Sequence, residues 1–234
     1  MTTTPEHQSV TFIETGDGSH SLVWPNMDEA YHSRHGAVQE SRHVFVAEGI
    51  ETWLRANPDP PLIRIFEVGF GTGLNAILSL EFTQRHPDIR IFYHSLEAYP
   101  VQPKLAHLLN YPHFIDEATR PYFPVLHEAE WNASVAITDR FTLHKEKIRL
   151  EDWPVRSNHA DIVFFDAFAP NKQAEMWQFT LVEKSVQTLR KGGVWVSYCA
   201  TGQLRRDLKS CNLQVEKPDG PPGKREMTRG IRRN

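Results

Sequence analysis

The sequence predicts an α/β fold with a mainly parallel sheet covered by helices on both faces. Three observations carry this expectation. From Leu62 onward, short apolar runs alternate with stretches of helical periodicity, as strands joined by crossover helices do. Runs such as Asp161-Ile-Val-Phe-Phe-Asp166 are apolar almost throughout, which suits strands buried from two sides. A glycine-rich turn, Gly69-Phe-Gly-Thr-Gly73, follows the first of these runs and opens a helical pattern.

The elements follow in order. Val10–Glu14 and His20–Trp24 flank Gly16-Asp-Gly18 and read as two strands around a glycine turn. Glu29–Asn57 spaces Val38, Val44, Phe45, Ile50 and Leu54 as one or two helices would, and the loop Asn57-Pro-Asp-Pro-Pro61 ends them. Leu62–Val68 is a strand and Gly73–Arg85 its helix. Ile89–Leu96 is the second strand of the unit, and a short helix falls at Lys104–Leu109. Glu128–Ile148 holds one further strand, Phe141–Ile148. Asp161–Asp166 is a buried strand and Lys172–Arg190 a helix. The turn Lys191-Gly-Gly193 leads into the strand Val194–Tyr198. Thr201–Ser210 is helical, and Leu213–Glu216 pairs with Glu226–Arg232 across a Gly/Pro loop. No internal repeat is present.

Bulk properties narrow the function classes. Hydrophobic residues make up 40% and charged residues 24%, an ordinary globular balance. No apolar run approaches the roughly 18 residues that span a bilayer. The polar N-terminus lacks a signal core, and two cysteines cannot build a disulfide framework, so a cytoplasmic location is expected. Net charge is −3. From Arg190 onward eleven Lys/Arg face four Asp/Glu, so a basic C-terminal part follows an acidic body. That part could contact phosphates or simply decorate late helices and strands.

The glycine turn carries the chemistry. Its spacing is Glu67-x-Gly69-x-Gly71-x-Gly73, not the Gly-x-Gly-x-x-Gly of dinucleotide sites. Glycines let a ligand approach the backbone, and the helix N-terminus offers free N–H groups. A carboxylate two places before the first glycine suits a cationic ligand better than a pyrophosphate. S-adenosylmethionine carries an ammonium and a sulfonium and no phosphate, which points to methyl transfer. A nucleotide site and a plain structural turn are the other readings of this motif.

Ligands of doubly wound sheets sit beyond the carboxyl ends of the strands. Three carboxylates occupy such ends: Glu67, Glu97 and Asp166. Glu97 stands where an acidic side chain takes ribose hydroxyls, which supports an adenosine ligand without choosing between NAD and S-adenosylmethionine. Asp166-Ala-Phe-Ala-Pro170 makes a rigid polar ledge at a strand end, able to hold an amine toward a methyl donor. A helix cap followed by a loop would read the same way.

Four segments taken together are more specific. Glu67-Val-Gly-Phe-Gly-Thr-Gly-Leu-Asn75, Leu96-Glu-Ala-Tyr-Pro100, Asp166-Ala-Phe-Ala-Pro-Asn171 with Met176-Trp177, and Gly220-Pro-Pro-Gly-Lys-Arg-Glu-Met227 occur in this order, preceded by Gly36–Ser41 and Val44-Phe45. The chain resembles the tRNA methyltransferases that form 5-methylaminomethyl-2-thiouridine, which stand alone or make up the N-terminal half of a bifunctional protein. The resemblance covers about residues 10–233.

The resemblance implies a class I S-adenosylmethionine-dependent methyltransferase fold, Rossmann-like, with a mainly parallel seven-stranded sheet. Residues 1–57 would be a small N-terminal extension of a β-hairpin plus helix, and residues 58–234 the Rossmann-like domain. It implies methylation of the exocyclic amine of 5-aminomethyl-2-thiouridine at the wobble position of tRNA, through the anticodon stem-loop. With the chain ending at Asn234, the aminomethyl form is expected from a separate FAD-dependent oxidase acting on the same nucleoside. Asp166 is the candidate catalytic residue, orienting the amine or accepting its proton. Glu67, Gly69, Gly71, Gly73, Asn75, Glu97 and Asp166 are the candidate donor-binding residues. Relatives carry a Gly-Asp-like turn near the adenine; here the region reads His144-Lys-Glu-Lys147, and Glu146 is carried over to that role.

Phe168 and Pro170, with Arg205, Arg206, Lys224 and Arg225, form the candidate acceptor and RNA set; Lys209, Arg229, Arg232 and Arg233 extend it. A flipped base could stack on Phe168 or Trp177, and helix packing is an equal reading of Trp177. No His-Glu-x-x-His or Cys/His cluster is present, His32 and His35 read as a chance pair, and no metal is expected. Cys199 reads as buried packing. Two other functions remain open: methyl or aminopropyl transfer to a small amine, and a NAD-linked oxidoreductase, which Glu67 and the glycine spacing disfavour. A catalytically silent adenosine-binding module would require Asp166 to face away from the cavity.

Overall fold

The computed structural model describes residues 11–24, 29–58 and 60–233. The polar start of the chain, Val10 of the first strand and Asp59 of the proline loop lie outside the described residues. β1 (Thr11–Glu14) and β2 (His20–Trp24) form the expected antiparallel hairpin, and β3 (Glu29–Ala30) adds a third strand where helical spacing was expected to begin. Asp17 organises the hairpin turn, accepting from Thr15 Oγ1 at 2.9 Å and Ser19 N at 3.0 Å.

A continuous helical segment follows. α1 (Ala37–Ser41) widens to π geometry over Arg42–Glu51 and continues as α2 (Thr52–Ala56). It lies directly on the main sheet. A Cβ at Gly49 would come within 2.9 Å of the Phe164 ring, and the Phe45 and Phe164 rings are 5.0 Å apart. The segment therefore shares one hydrophobic core with the sheet.

The remaining elements are β4 (Ile63–Val68), α3 (Leu74–Arg85), β5 (Ile91–Leu96), α4 (Pro103–Ala106), α5 (Tyr122–Glu128), β6 (Ser134–Thr138), β7 (Phe141–Glu146), β8 (Ala160–Phe165), α6 (Phe179–Gln187), β9 (Leu189–Ser197), α7 (Gly202–Ser210), β10 (Leu213–Glu216) and β11 (Thr228–Arg232). The main sheet has eight strands in the order β10-β11-β9-β8-β4-β5-β7-β6. β9, β8, β4, β5 and β7 run parallel; β11 is antiparallel to both neighbours. Side chains along these strands alternate between two buried clusters, one on each face of the sheet. Ile65, Tyr93 and Phe164 face one core cluster, while Phe66, Val163 and Phe165 face the other.

Three boundaries depart from the sequence reading. The sheet has eight strands rather than seven, because Glu128–Ile148 contributes a hairpin, β6–β7, in place of one strand. β6 is only half-buried at the sheet edge, so it has little apolar pattern to read. The Lys191-Gly-Gly193 turn lies inside β9. There Gly192 takes φ +74°, and the β8–β9 register shifts between Ala160 and Ile162, a bulge rather than a turn. The helix expected over Lys172–Arg190 begins only at Phe179, after a 3₁₀ turn at Ala174–Trp177. Trp177 Nε1 donates to the Phe168 carbonyl at 2.7 Å and pins that turn, and Gln178 is extended.

Strand order reverses between β4 and β8, which opens a crevice past their carboxyl ends. The glycine turn, Glu97 and Asp166 all come to it.

Candidate functional site

A cavity of roughly 690 Å³ occupies that crevice. Gly69, Gly71 and Asn75 form its floor, Glu97 one side and Asp166 the other. The backbone explains the glycines. Gly69 has φ +94° and a Cβ there would sit 2.7 Å from the Asp166 carbonyl oxygen. Gly71 has φ +51° and Gly73, the N-cap of α3, has φ +72°. Gly73 stands behind the cavity wall, where a Cβ would meet His127 Nε2 at 2.9 Å.

Glu97 is anchored by backbone. Its Oε2 accepts from Gly71 N at 2.9 Å and its Oε1 from Tyr99 N at 2.8 Å. Burial pushes its pKa up and these N–H groups pull it back. The carboxylate thus ties the glycine turn to the end of β5, and its remaining lone pairs can take hydroxyls on the cavity side.

Asp166 and Glu67 are joined through Asn75. Its Nδ2 donates to Asp166 Oδ2 at 2.8 Å and to Glu67 Oε1 at 3.1 Å. Ser95 Oγ also donates to Glu67 Oε2 at 2.7 Å. Burial pushes Glu67 up to about 7. Asp166 lies well above the usual carboxylate range, first through burial and then through the nearby Glu67 and Glu40 charges. Glu67 is 1% exposed and does not line the cavity. It sits beneath Asn75, where a direct contact with a ligand ammonium or sulfonium is blocked by the amide above it. Its charge acts on the site through Asn75 and Asp166.

The opposite wall comes from the N-terminal segment, expected from sequence as a small extension. Tyr31, His32 and Glu40 line the cavity. Tyr31 packs edge-on against Phe168 with centroids 5.0 Å apart. Burial holds His32 down to about 4, so its imidazole is neutral. Glu40 Oε2 pairs with Lys224 Nζ at 2.6 Å, and that ammonium lies 4.0 Å from the Tyr198 ring centroid. Tyr198 Oη donates to the Ala167 carbonyl at 2.8 Å, fixing this wall to the ledge after β8.

The other candidates divide. Phe168 and Lys224 line the cavity; Pro170 and Arg225 border a separate shallow recess beside it. Glu146 does not line the cavity. Its carbonyl accepts from Glu97 N at 3.0 Å, but its carboxylate turns toward His144 and Arg156. The cavity flank near it is made by Ile148, Arg149 and Leu150 instead. Arg205 is spent on Glu226 at 2.8 Å and on the Met227 carbonyl, and Arg229 pairs with Glu48 and Glu216. Arg206 and Arg225 are exposed, as are Lys209 and Arg233. Trp177 packs against Phe165 at 5.1 Å in the core, the structural side of its two readings. Cys199 is buried.

Whether these residues fit an adenosyl sulfonium can be judged from the donor set. Asn75 Oδ1 is a buried acceptor without a hydrogen-bond partner at the cavity floor. An acceptor there, carboxylates at Glu97 and Asp166, and apolar Leu96, Ile148 and Leu150 suit an ammonium, a ribose and a flat base. The residues fit.

Comparisons with known proteins bear on the fold and the cofactor class. A family model described as S-adenosyl-L-methionine-dependent methyltransferase matches residues 121–233. The bifunctional protein MnmC of tRNA 5-methylaminomethyl-2-thiouridine biosynthesis from Idiomarina loihiensis is 30% identical over 237 residues, covering 96% of this chain and 38% of that protein. Its counterpart from Chromobacterium violaceum is 31% identical over 228 residues, covering 89% and 34%. The chain therefore spans little more than a third of the length of these relatives. The crystal structure of MNMC2 from Aquifex aeolicus superposes with a TM-score of 0.77 at 26% identity, covering 97% of this chain and 71% of that one. The sugar N-methyltransferase KedS8 from a Streptoalloteichus species, at 12% identity and a TM-score of 0.50, shares the fold.

Proposed function

We propose that this chain, which has the class I S-adenosyl-L-methionine-dependent methyltransferase fold, methylates the exocyclic primary amine of 5-aminomethyl-2-thiouridine at the wobble position of tRNA. The observation that carries the reading is Asp166. It stands at the end of β8 on the cavity wall, hydrogen-bonded through Asn75 and faced by the aromatic and acidic wall of Tyr31, Phe168 and Glu40. The names of the relatives from Idiomarina and Chromobacterium support the choice of acceptor.

S-adenosylmethionine, when bound, supplies a methyl group activated on a sulfonium. Gly69, Gly71 and Asn75 would hold its amino-acid part, Glu97 its ribose, and Leu96, Ile148 and Leu150 its adenine. The chain's own work is on the acceptor. An aliphatic amine is an ammonium at neutral pH and has no lone pair to attack with. Asp166 takes up a hydrogen bond from that group and receives its proton, because burial beside Glu67 makes its carboxylate a stronger base than a free one. Asn75 keeps the carboxylate in one orientation, so alignment is set before the acceptor arrives. Tyr31 and Phe168 offer edges and faces for the thiouracil ring. The acceptor must already be the free aminomethyl form, so a separate oxidative step removing a carboxymethyl group precedes this one.

A second reading has one observation in its favour. Arg205, Lys224 and Arg229 are committed to internal carboxylates, leaving fewer cations for a phosphate backbone, and a free small amine would need none. Nucleoside analysis of tRNA from cells lacking the protein separates the two. Accumulated 5-aminomethyl-2-thiouridine supports the tRNA reading; an unchanged nucleoside profile contradicts it.

A further inference from the structure

Behind the Glu97 wall, the two strands β5 and β7 place a second cluster that the methyl-transfer chemistry does not use. In their parallel register His94 lies opposite His144, and Leu96 opposite Glu146. His144 and Glu146, two residues apart on one strand, therefore share the sheet face that carries His94. Glu146 Oε1 is 3.1 Å from His94 Nε2 and 3.2 Å from His144 Nε2, and the three donor atoms lie within 4.8 Å of one another.

The outer nitrogens are already engaged. His94 Nδ1 is 2.7 Å from His159 Nε2, and His144 Nδ1 is 3.0 Å from Ser134 Oγ. Metal-ligating histidines characteristically hold their second nitrogen in such a bond, which sets the tautomer and aims the other nitrogen at the ion. His94 is fully buried, and its Nε2 makes no hydrogen bond despite the nearby carboxylate. Burial and the surrounding His159, His144 and Arg156 keep this imidazole neutral, with its pKa pushed down to about 2.

We infer that His94, His144 and Glu146 form a binding site for a divalent transition-metal ion of the Zn²⁺ class. Two imidazole nitrogens and one carboxylate oxygen match the preferences of such ions, whose bonds of about 2.0–2.2 Å hold ligand atoms roughly 3.3 Å apart. His144 is partly exposed, so an ion can reach it from solvent. His144 Nε2 and Glu146 Oε1 are hydrogen-bonded as the chain stands. Uptake of the ion at Nε2 breaks that bond and shifts the His144 proton to Nδ1, where it donates to Ser134 Oγ. The ligands come from adjacent strands rather than one helix, so no linear motif announces them, and the expectation of no metal rested on linear motifs alone.

Arg156 is the group that competes. Its Nη2 lies 3.3 Å from Glu146 Oε1, and the side chain is half-exposed, so it can swing into solvent when the ion arrives. Arg190 also acts on His159 at longer range. The site would clamp β5 to β7 directly behind the Glu97 wall, where Glu97 N donates to the Glu146 carbonyl at 3.0 Å.

The test is calorimetric titration of Zn²⁺ alone into the full chain after chelator treatment, with Co²⁺ absorption as a second readout. One equivalent should bind. His144→Ala should weaken uptake at least about tenfold, and Ser134→Ala about tenfold, the usual effect of losing an outer-shell partner. Arg156→Gln should tighten it. Ser134 is exposed on an edge strand, so its variant keeps the fold even if His144→Ala does not. No uptake, uptake unchanged in both His144→Ala and Ser134→Ala, or uptake weakened in Arg156→Gln would each overturn the site.

Discussion

Asn75 Nδ2 donates to Asp166 Oδ2 across 2.8 Å while lying 3.1 Å from Glu67 Oε1, so one amide joins a buried carboxyl to one that lines the cavity. Glu67 is sealed beneath the cavity and Asp166 faces into it. Burial, and after it the charge of the sealed acid, makes the facing one a better base than it would be in water, and the amide sets its direction.

Removing that base separates chemistry from donor binding. Asp166→Asn should lower kcat/KM on modified tRNA about 10²–10⁴-fold, the range typical of a general base. Donor affinity, measured by calorimetry, should fall far less than kcat/KM. A variant with full turnover and intact donor binding would remove Asp166 from the reaction.

Stability should record the buried Glu67. Its folded pKa, about 7, lies above its ordinary value of 4.5. The stabilisation tied to its proton is fully present below pH 4.5 and is lost as pH rises through 7. Glu67→Gln keeps a neutral side chain throughout. Relative to wild type it should gain stability between pH 5 and pH 8, by about 3 kcal/mol at most. Urea denaturation at both pH values measures this; a wild-type-to-variant difference independent of pH would contradict it.

The glycine floor has a steric test. Gly69→Ala places a methyl 2.7 Å from the Asp166 carbonyl at φ +94°, and should cost about 1–3 kcal/mol of stability together with donor affinity. Gly202→Ala, at the start of α7 with its nearest neighbour 3.4 Å away, should leave stability equal or slightly higher. Equal thermal midpoints for the two variants would show that the turn tolerates a side chain.

Among the basic residues, exposure decides which can touch RNA. The double variant Arg206→Gln, Arg225→Gln should raise KM for tRNA and reduce the slope of log affinity against log salt by about two, with kcat unchanged. An unchanged slope would move the RNA contact elsewhere.

Much of this architecture is legible in the chain because it is local. The strand–glycine–helix run from Ile63 to Arg85 and the apolar strand ending at Asp166 announce themselves by period and composition, and Glu97 by its distance from the turn. What sequence pattern missed is long-range. Tyr31, His32 and Glu40 reach the cavity only because the N-terminal segment folds back over it, and Glu40 meets Lys224 across nearly the whole chain. The carboxylates that occupy Arg205 and Arg229 are likewise set by the sheet edge formed by β10 and β11. β6 escapes detection since a half-exposed edge strand carries too few apolar positions to show alternation.

The most direct measurement is a reaction of the purified chain with labelled S-adenosylmethionine and tRNA bearing 5-aminomethyl-2-thiouridine, followed by mass analysis of the digested nucleosides. The expected result is one methyl gained on that nucleoside, giving 5-methylaminomethyl-2-thiouridine, and none on tRNA lacking the aminomethyl group. Donor binding with no methyl transferred to this nucleoside, or equal transfer to free small amines, would contradict it.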